Sequence, residues 1–330
     1  MNVRIVFNAL LISGVFLTTG LPEARADIYR ESLLQLQSGY RTGRLDWNLA
    51  GDRSGGNPEV LSELEWEYLD IFQLKAAGKV LLGPSSMPRL SLCLKGSAAY
   101  GWITHGSNRD SDYAGDNRTL EYSRSENSGD DGNVIDLSAA LGPQFHFLQN
   151  RLAVALLAGW SYHEQNLKIT DGEQTVSDPA LVGSLDPDLP LPQPTGPIYG
   201  LDSSYDARWW GPWLGTDLEY RITPRLSAHG SFEYHFAQYE AEADWNLRTD
   251  LAHPVSFRHD DHGRGIVFSA EAEYRIAANW SLNLNYTFED WKTENGVHRI
   301  YEVSGASGST RLNEVHWESH AVMLGIGCRF

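Results

Sequence analysis

Apolar and polar residues alternate along much of this chain. In "IVFSAEAEYRI" (266–276), Ile266, Phe268, Ala270, Ala272, Tyr274 and Ile276 are separated by residues that include Ser269, Glu271, Glu273 and Arg275. In "NWSLNLNYTFED" (279–290), Trp280, Leu282, Leu284, Tyr286 and Phe288 alternate with Asn, Ser and Thr. "RLSAHGSFEYHF" (225–236) repeats the rhythm. Period two is the signature of a strand with one apolar and one polar face.

A soluble sandwich would bury the apolar face on a second sheet. Here the opposite face is strongly polar, strand after strand. Apolar outside and polar inside is the transmembrane barrel pattern. The last segment agrees: Val322, Leu324, Ile326, Cys328 and Phe330 share one face. A terminal strand ending in phenylalanine resembles the signal read by the outer-membrane assembly machinery. The pattern predicts ten strands, at 32–47, 62–77, 89–104, 133–147, 151–166, 200–222, 225–246, 255–276, 279–301 and 310–330. Short links fall at 83–88, 148–150, 223–224 and 277–278. Long polar links fall at 48–61, 105–132, 167–199, 247–254 and 302–309. Short periplasmic turns and long outer loops have this asymmetry. The expected fold is therefore all-β, a ten-stranded antiparallel transmembrane β-barrel in the outer membrane.

The N-terminus reads as a secretory signal peptide over residues 1–26. A basic start at Arg4 precedes an apolar run from Ile5 to Thr19, and Ala24-Arg25-Ala26 supplies a small-x-small cleavage pattern. Residues 27–330 then form one barrel domain. The 43 acidic and 26 basic residues give a net charge of −17, which excludes nucleic acid as a partner. Two cysteines, Cys93 and Cys328, are too few for a disulfide scaffold. Eleven tryptophans and fifteen tyrosines suit the aromatic girdles of a barrel.

Candidate chemistry begins at "RDSDY" (109–113). Asp110 and Asp112 lie on one face of an extended segment. Such a pair can bind a cation, poise a water for hydrolysis, or keep a loop soluble. A second polar cluster, "FRHDDHGRG" (257–265), carries His259 and His262. It reads as a polar strand end, a displaced general base or metal ligands.

Several segments, in the right order, resemble the omptins, ten-stranded outer-membrane proteases. They are "SELEWEYLDIFQLKAAG" (62–78), "LLAGW" (156–160) and "YDARWWGPWLGTDLEYRI" (205–222). The resemblance implies a rim groove with an Asp-x-Asp pair facing an Asp-x-His pair. Asp110 and Asp112 fall on the first pair. In "FEYHFAQYEAEADWNL" (232–247), Asp244 falls on the second aspartate and Asn246 on the histidine. Asparagine does not titrate, whereas histidine takes and returns a proton near neutrality. A hairpin centred near Asp250 would bring His259 beside Asp244 as a substitute base. Arg208 falls on one basic position of the family's lipopolysaccharide site, while Glu164 falls where an arginine is expected.

The resemblance thus implies an omptin-like barrel, weak or inactive as a peptidase because Asn246 stands at the histidine position. The alternatives are an active endopeptidase with a displaced base, and a small porin-like or adhesin barrel. No cofactor or metal is expected beyond lipopolysaccharide as a bound lipid. Expected partners are outer-membrane lipid and a peptide or protein at the extracellular rim, with the barrel a monomer.

Overall fold

The computed structural model describes residues 28–330 except 85, 88 and 186–190. The expected signal peptide lies outside the described residues.

One antiparallel sheet closes on itself. Its strands are β1 (Ile28–Leu49), β2 (Ser62–Pro84), β3 (Leu90–Gly115), β4 (Thr119–Ser128), β5 (Gly132–Phe147), β6 (Leu152–Ser177), β7 (Gly196–Arg221), β8 (Leu226–Asp244), β9 (Phe257–Arg275), β10 (Trp280–Thr293), β11 (Gly296–Tyr301) and β12 (Ser307–Arg329). A short helix α1 (Pro179–Leu185) caps the β6–β7 connection. β4 and β5 occupy one position between β3 and β6, and β10 and β11 one position between β9 and β12. Twelve strands therefore make the expected ring of ten, sealed by β1 against β12 from Leu33↔Arg329 to Asn48↔Glu314.

The membrane-level faces follow the alternation. On β10, Leu282 and Leu284 are 48 % and 49 % exposed, while Ser281 and Asn283 are 2 % and 3 % exposed. On β12, Leu324 is exposed and Met323 buried. Lipid is the solvent for the apolar face, so the polar face must be satisfied within the lumen. Asp217, Glu219, Glu271 and Glu273 lie there; Lys95 bridges Asp217 and Glu233, and Arg329 holds Glu273. A cavity of about 240 Å³ remains among these groups. Cys93 and Cys328 are both free thiols.

Above the lipid belt the structure departs from expectation. The segments 105–132 and 167–199 are not mainly loops: β3, β4 and β6 carry the wall upward through much of them. A strand of about 9–11 residues crosses a bilayer, and β3 and β6 each have 26. Their surplus builds a tall extracellular wall.

The inner face of that wall is apolar. Trp47, Trp66, Trp209, Trp291 and Trp317 are each at most 2 % exposed and join Tyr205, Tyr239, Leu45 and Ile71 in one core. On β2 an irregularity around Tyr68, at φ 55°, lets Leu64 and Trp66 point inward above it and Leu69 and Ile71 below it. Glu65 consequently faces outward and pairs with Arg109.

Candidate functional site

Asp110 and Asp112 sit on β3 above this core rather than in a loop. Asp110 stands opposite Leu64 of β2 and Ser125 of β4; Asp112 stands opposite Ser62 and Ser123. Directly opposed residues share a face, and Leu64 is inward, so both carboxylates face inward. Nearby Asn108 is buried and fixed by Asn127 and the Glu65 carbonyl.

Burial pushes the Asp110 carboxyl well above the ordinary range, and the adjacent Asp112 charge adds to the effect. Burial likewise raises Asp112 to about 6, against hydrogen bonds from Ser62 and Ser123 that favour its ionised form. Like charges in one site disfavour ionising both carboxyls together. Their countercharge is Arg248, whose guanidinium interacts electrostatically with both.

Arg248 belongs to the connection between β8 and β9. This segment is internally braced. Trp245 N–H donates to Ser256 Oγ, Arg248 N–H to the Trp245 carbonyl and Leu251 N–H to the Arg248 carbonyl. Arg248 also clasps Asp250 through two bonds of 2.8 and 2.7 Å. The electrostatic influence between Arg248 and the acid pair places its charge near Asp110 and Asp112.

At the end of β8, Asp244 is paired with a histidine. Its Oδ1 lies 2.6 Å from Nδ1 of His253. Both side chains remain about one-third exposed, at 32 % and 40 %. A carboxylate on one ring nitrogen orients an imidazole and fixes its tautomer, leaving the other nitrogen free to work as a base.

Asn246 is occupied differently. Its Oδ1 accepts from Asp202 N–H and Ser203 Oγ, and its Nδ2 donates to the Gly200 carbonyl. It ties the upper end of β7 to the β8–β9 connection.

His259 does not stand beside Asp244. The register pairs it with Ala241, because Phe257 takes the place opposite Ala243. It is 0 % exposed; its Nδ1 meets Tyr205 Oη at 2.8 Å and its Nε2 meets His298 Nδ1 at 2.9 Å. Burial drives its pKa well down, and so does the neighbouring His298. His259 is part of the core. Arg208 lies on the outer wall, where Glu164, Glu240 and Glu242 approach its guanidinium at 3.6–4.0 Å.

The structure therefore brings Asp110 together with Asp112, and keeps Asn246 and His259 in bracing roles. Sequence reasoning missed His253 and Arg248. Both lie in "LRTDLAHPVS" (247–256), a stretch with no periodic pattern; the only signal was a histidine close after Asp244.

Comparison with solved structures gives the outer membrane protease OmpT from Escherichia coli at TM-score 0.70, with 15% identity over 93% of this chain and 98% of that one. That likeness shows the shared barrel fold. Ail, the attachment invasion locus protein of Yersinia pestis, aligns at TM-score 0.25 and 10% identity, covering 91% of this chain and 98% of that one. OprG from Pseudomonas aeruginosa aligns at TM-score 0.31 and 9% identity, covering 90% and 95%. No curated protein sequence matches this chain. The family model described as Protochlamydia outer membrane protein matches residues 35–330, and the chain, an outer-membrane β-barrel, belongs to that family.

Proposed function

We propose that this barrel is a weak omptin-type surface endopeptidase whose histidine comes from the β8–β9 connection. The contact of His253 with Asp244 carries the reading. His253 is the general base that takes a proton from water, and Asp244 orients it. Asp110 and Asp112 share a proton and supply an acid on the other side of the groove. Arg248 lowers the activity by holding positive charge against the acid pair, which favours its ionised form.

A second reading is a binding barrel without hydrolysis. Arg248 supports it, because a fixed countercharge suits a docking surface as well as a catalytic one. The packed tryptophans above the membrane oppose a small porin. Lipopolysaccharide is the proposed lipid neighbour, with little help from Arg208, whose charge three carboxylates already share.

The test uses the protein refolded with lipopolysaccharide and fluorogenic dibasic peptides. Slow cleavage is expected, and His253→Ala should reduce it by roughly 10²–10⁴-fold. Asp112→Asn should also lower it. Absence of cleavage, with peptides still bound, would favour the binding reading. Cleavage that survives His253→Ala would overturn the assigned base.

A further inference from the structure

The outer wall carries a histidine–carboxylate cluster far from any role in the groove. At the seam of the barrel, Asp46 of β1 stands directly opposite His316 of β12. On the other side of β12, Asp290 of β10 stands directly opposite Glu318. Leu45, Trp47, Trp291, Val315 and Trp317 alternate with these residues and are buried inward. The four polar side chains therefore point outward. They lie one pleat above Phe288 and His320; the latter meets Tyr286 Oη at 2.9 Å at the edge of the lipid belt. One pleat is about 7 Å, so the cluster stands at headgroup height.

Its arrangement is costly without a cation. Asp290 and Glu318 are like charges directly opposite on neighbouring strands, a destabilising pairing. His316 Nε2 lies 3.3 Å from Asp290 Oδ2, and Nδ1 lies 3.6 Å from Asp46 Oδ1. One ligand atom each from Asp290, His316 and Glu318 falls within 4.8 Å of the others. Arg44 reaches Glu318, at 3.7 Å. His320 also approaches Glu318, at 3.8 Å, and Lys292 is engaged by Glu314 at 2.8 Å.

Two other histidine–carboxylate groups differ in this respect. Asp136 and Glu289, beside His163, already bind the Arg41 guanidinium. Glu273, beside His229 and Glu271, already binds Arg329. In the outer cluster, among the described residues, no lysine or arginine pairs with Asp290, which faces only the His316 imidazole, and Arg44 stands off at the Glu318 side.

We propose that His316 Nε2, Asp290 and Glu318 bind a divalent cation of the zinc type. Mixed imidazole and carboxylate donors suit zinc, with bonds of about 2.0–2.2 Å. The ligand atoms need to close by only about 1 Å to reach tetrahedral separation. Asp46 is the positioning residue. It faces the other ring nitrogen, as the outer-shell carboxylate of a metal-bound histidine does. The remaining position opens outward to water. Because its ligands come from β10 and β12, with Asp46 on β1, the ion would clamp the strands at the closing seam.

The test measures zinc retained by the full chain refolded in detergent, together with its thermal unfolding. One zinc per chain and a zinc-dependent rise in the midpoint are expected. His316→Ala and Glu318→Gln should abolish both while unfolding like the wild type without metal. Asp46→Asn should weaken affinity about 10–100-fold. His253→Ala, in the groove, should leave zinc binding intact. Magnesium should give no comparable rise. Equal zinc binding by His316→Ala, or no zinc retained by the wild type, would overturn the proposal.

Discussion

Arg41 on β1 crosses the lumen to Asp136 on β5, with Nη1 2.7 Å from Oδ2. Its Nη2 meets Glu289 of β10 at 2.7 Å and its Nε donates to Ser319 Oγ. The guanidinium is 2 % exposed and lies 5.3 Å from the Trp317 ring centroid. One side chain thus joins separated parts of the ring beneath the tryptophan core. Arg41→Ala leaves two buried carboxylates without their cation and should destabilise the barrel by about 3–5 kcal/mol. Urea unfolding in lipid vesicles measures this. The triple variant Arg41→Ala, Asp136→Asn, Glu289→Gln should recover much of the loss; no recovery would show that packing on Trp317 matters more than charge.

The acid pair sets a pH dependence of known sign. A carboxyl whose pKa is raised on folding is held preferentially in its protonated form. For Asp112 this contribution is fully present below the unfolded value of about 4. It is lost as pH rises through about 6, where the folded group ionises. Asp112→Asn removes that loss. The variant should gain on the wild type between pH 4 and pH 8, by on the order of 1 kcal/mol for a partly exposed group. Parallel stability curves for the two proteins would contradict a raised pKa at this site.

Asn246 makes three hydrogen bonds to the start of β7, which no imidazole can reproduce together. Asn246→His should therefore fail to raise peptide cleavage, even though histidine is the residue expected there from the omptin resemblance. Asn246→Ala should speed hydrogen exchange at the Asp202 amide and cost about 1–3 kcal/mol. A gain in cleavage on Asn246→His would argue that the histidine can enter the groove directly.

The parts of the fold that were legible in the sequence are those that touch lipid. On β10 from Trp280 to Phe288 each residue is either apolar and outward or polar and inward, so period two alone reveals the strand. Higher up, both sides of the wall mix their chemistry. "SNRDSDYAGDNRTLEYSRSENS" (107–128) reads as a polar loop, yet it forms β3 and β4 around the turn at 116–118. Its arginines are paired, Arg109 with Glu65, Arg118 with Glu63 and Arg124 with Glu121, while inward Asn127 donates to Asn108 and Ser125, and Ser123 bonds to Asp112. Asp110, Asp112 and Asp244 could be picked out by residue order. His253 could not, because the shape of its connection depends on backbone bonds from Trp245 to Ser256, which have no sequence period.

Exposure means different things at two heights of the barrel. Leu284 is 49 % exposed on the membrane-level face of β10, and Val303 is 73 % exposed near the extracellular end. Leu284→Arg should cost roughly 2–4 kcal/mol near the bilayer middle. Val303→Arg should cost close to nothing, since that side chain meets water. Unfolding of both variants in vesicles makes the comparison, and equal costs would contradict the position of the lipid belt.

The last prediction concerns ion flow. The lumen at membrane height is polar and holds a cavity, which alone would suit a pore. An ion continuing outward meets Trp47, Trp66, Trp209, Trp291 and Trp317, packed with almost no exposed surface. Trp209 and Trp291 pack with their rings tilted by 51° and centroids 5.9 Å apart, and the Trp209 ring centroid lies 4.3 Å from that of Tyr239. Closely packed interiors leave few voids larger than a water molecule, so a hydrated ion has no path without displacing these rings. Planar-bilayer recordings should show no steady conductance for the wild type. The double variant Trp209→Gly, Trp291→Gly removes two adjoining rings above the cavity and should produce openings. Steady wild-type conductance, unchanged in the double variant, would mean that ions bypass the aromatic core and would restore the porin reading.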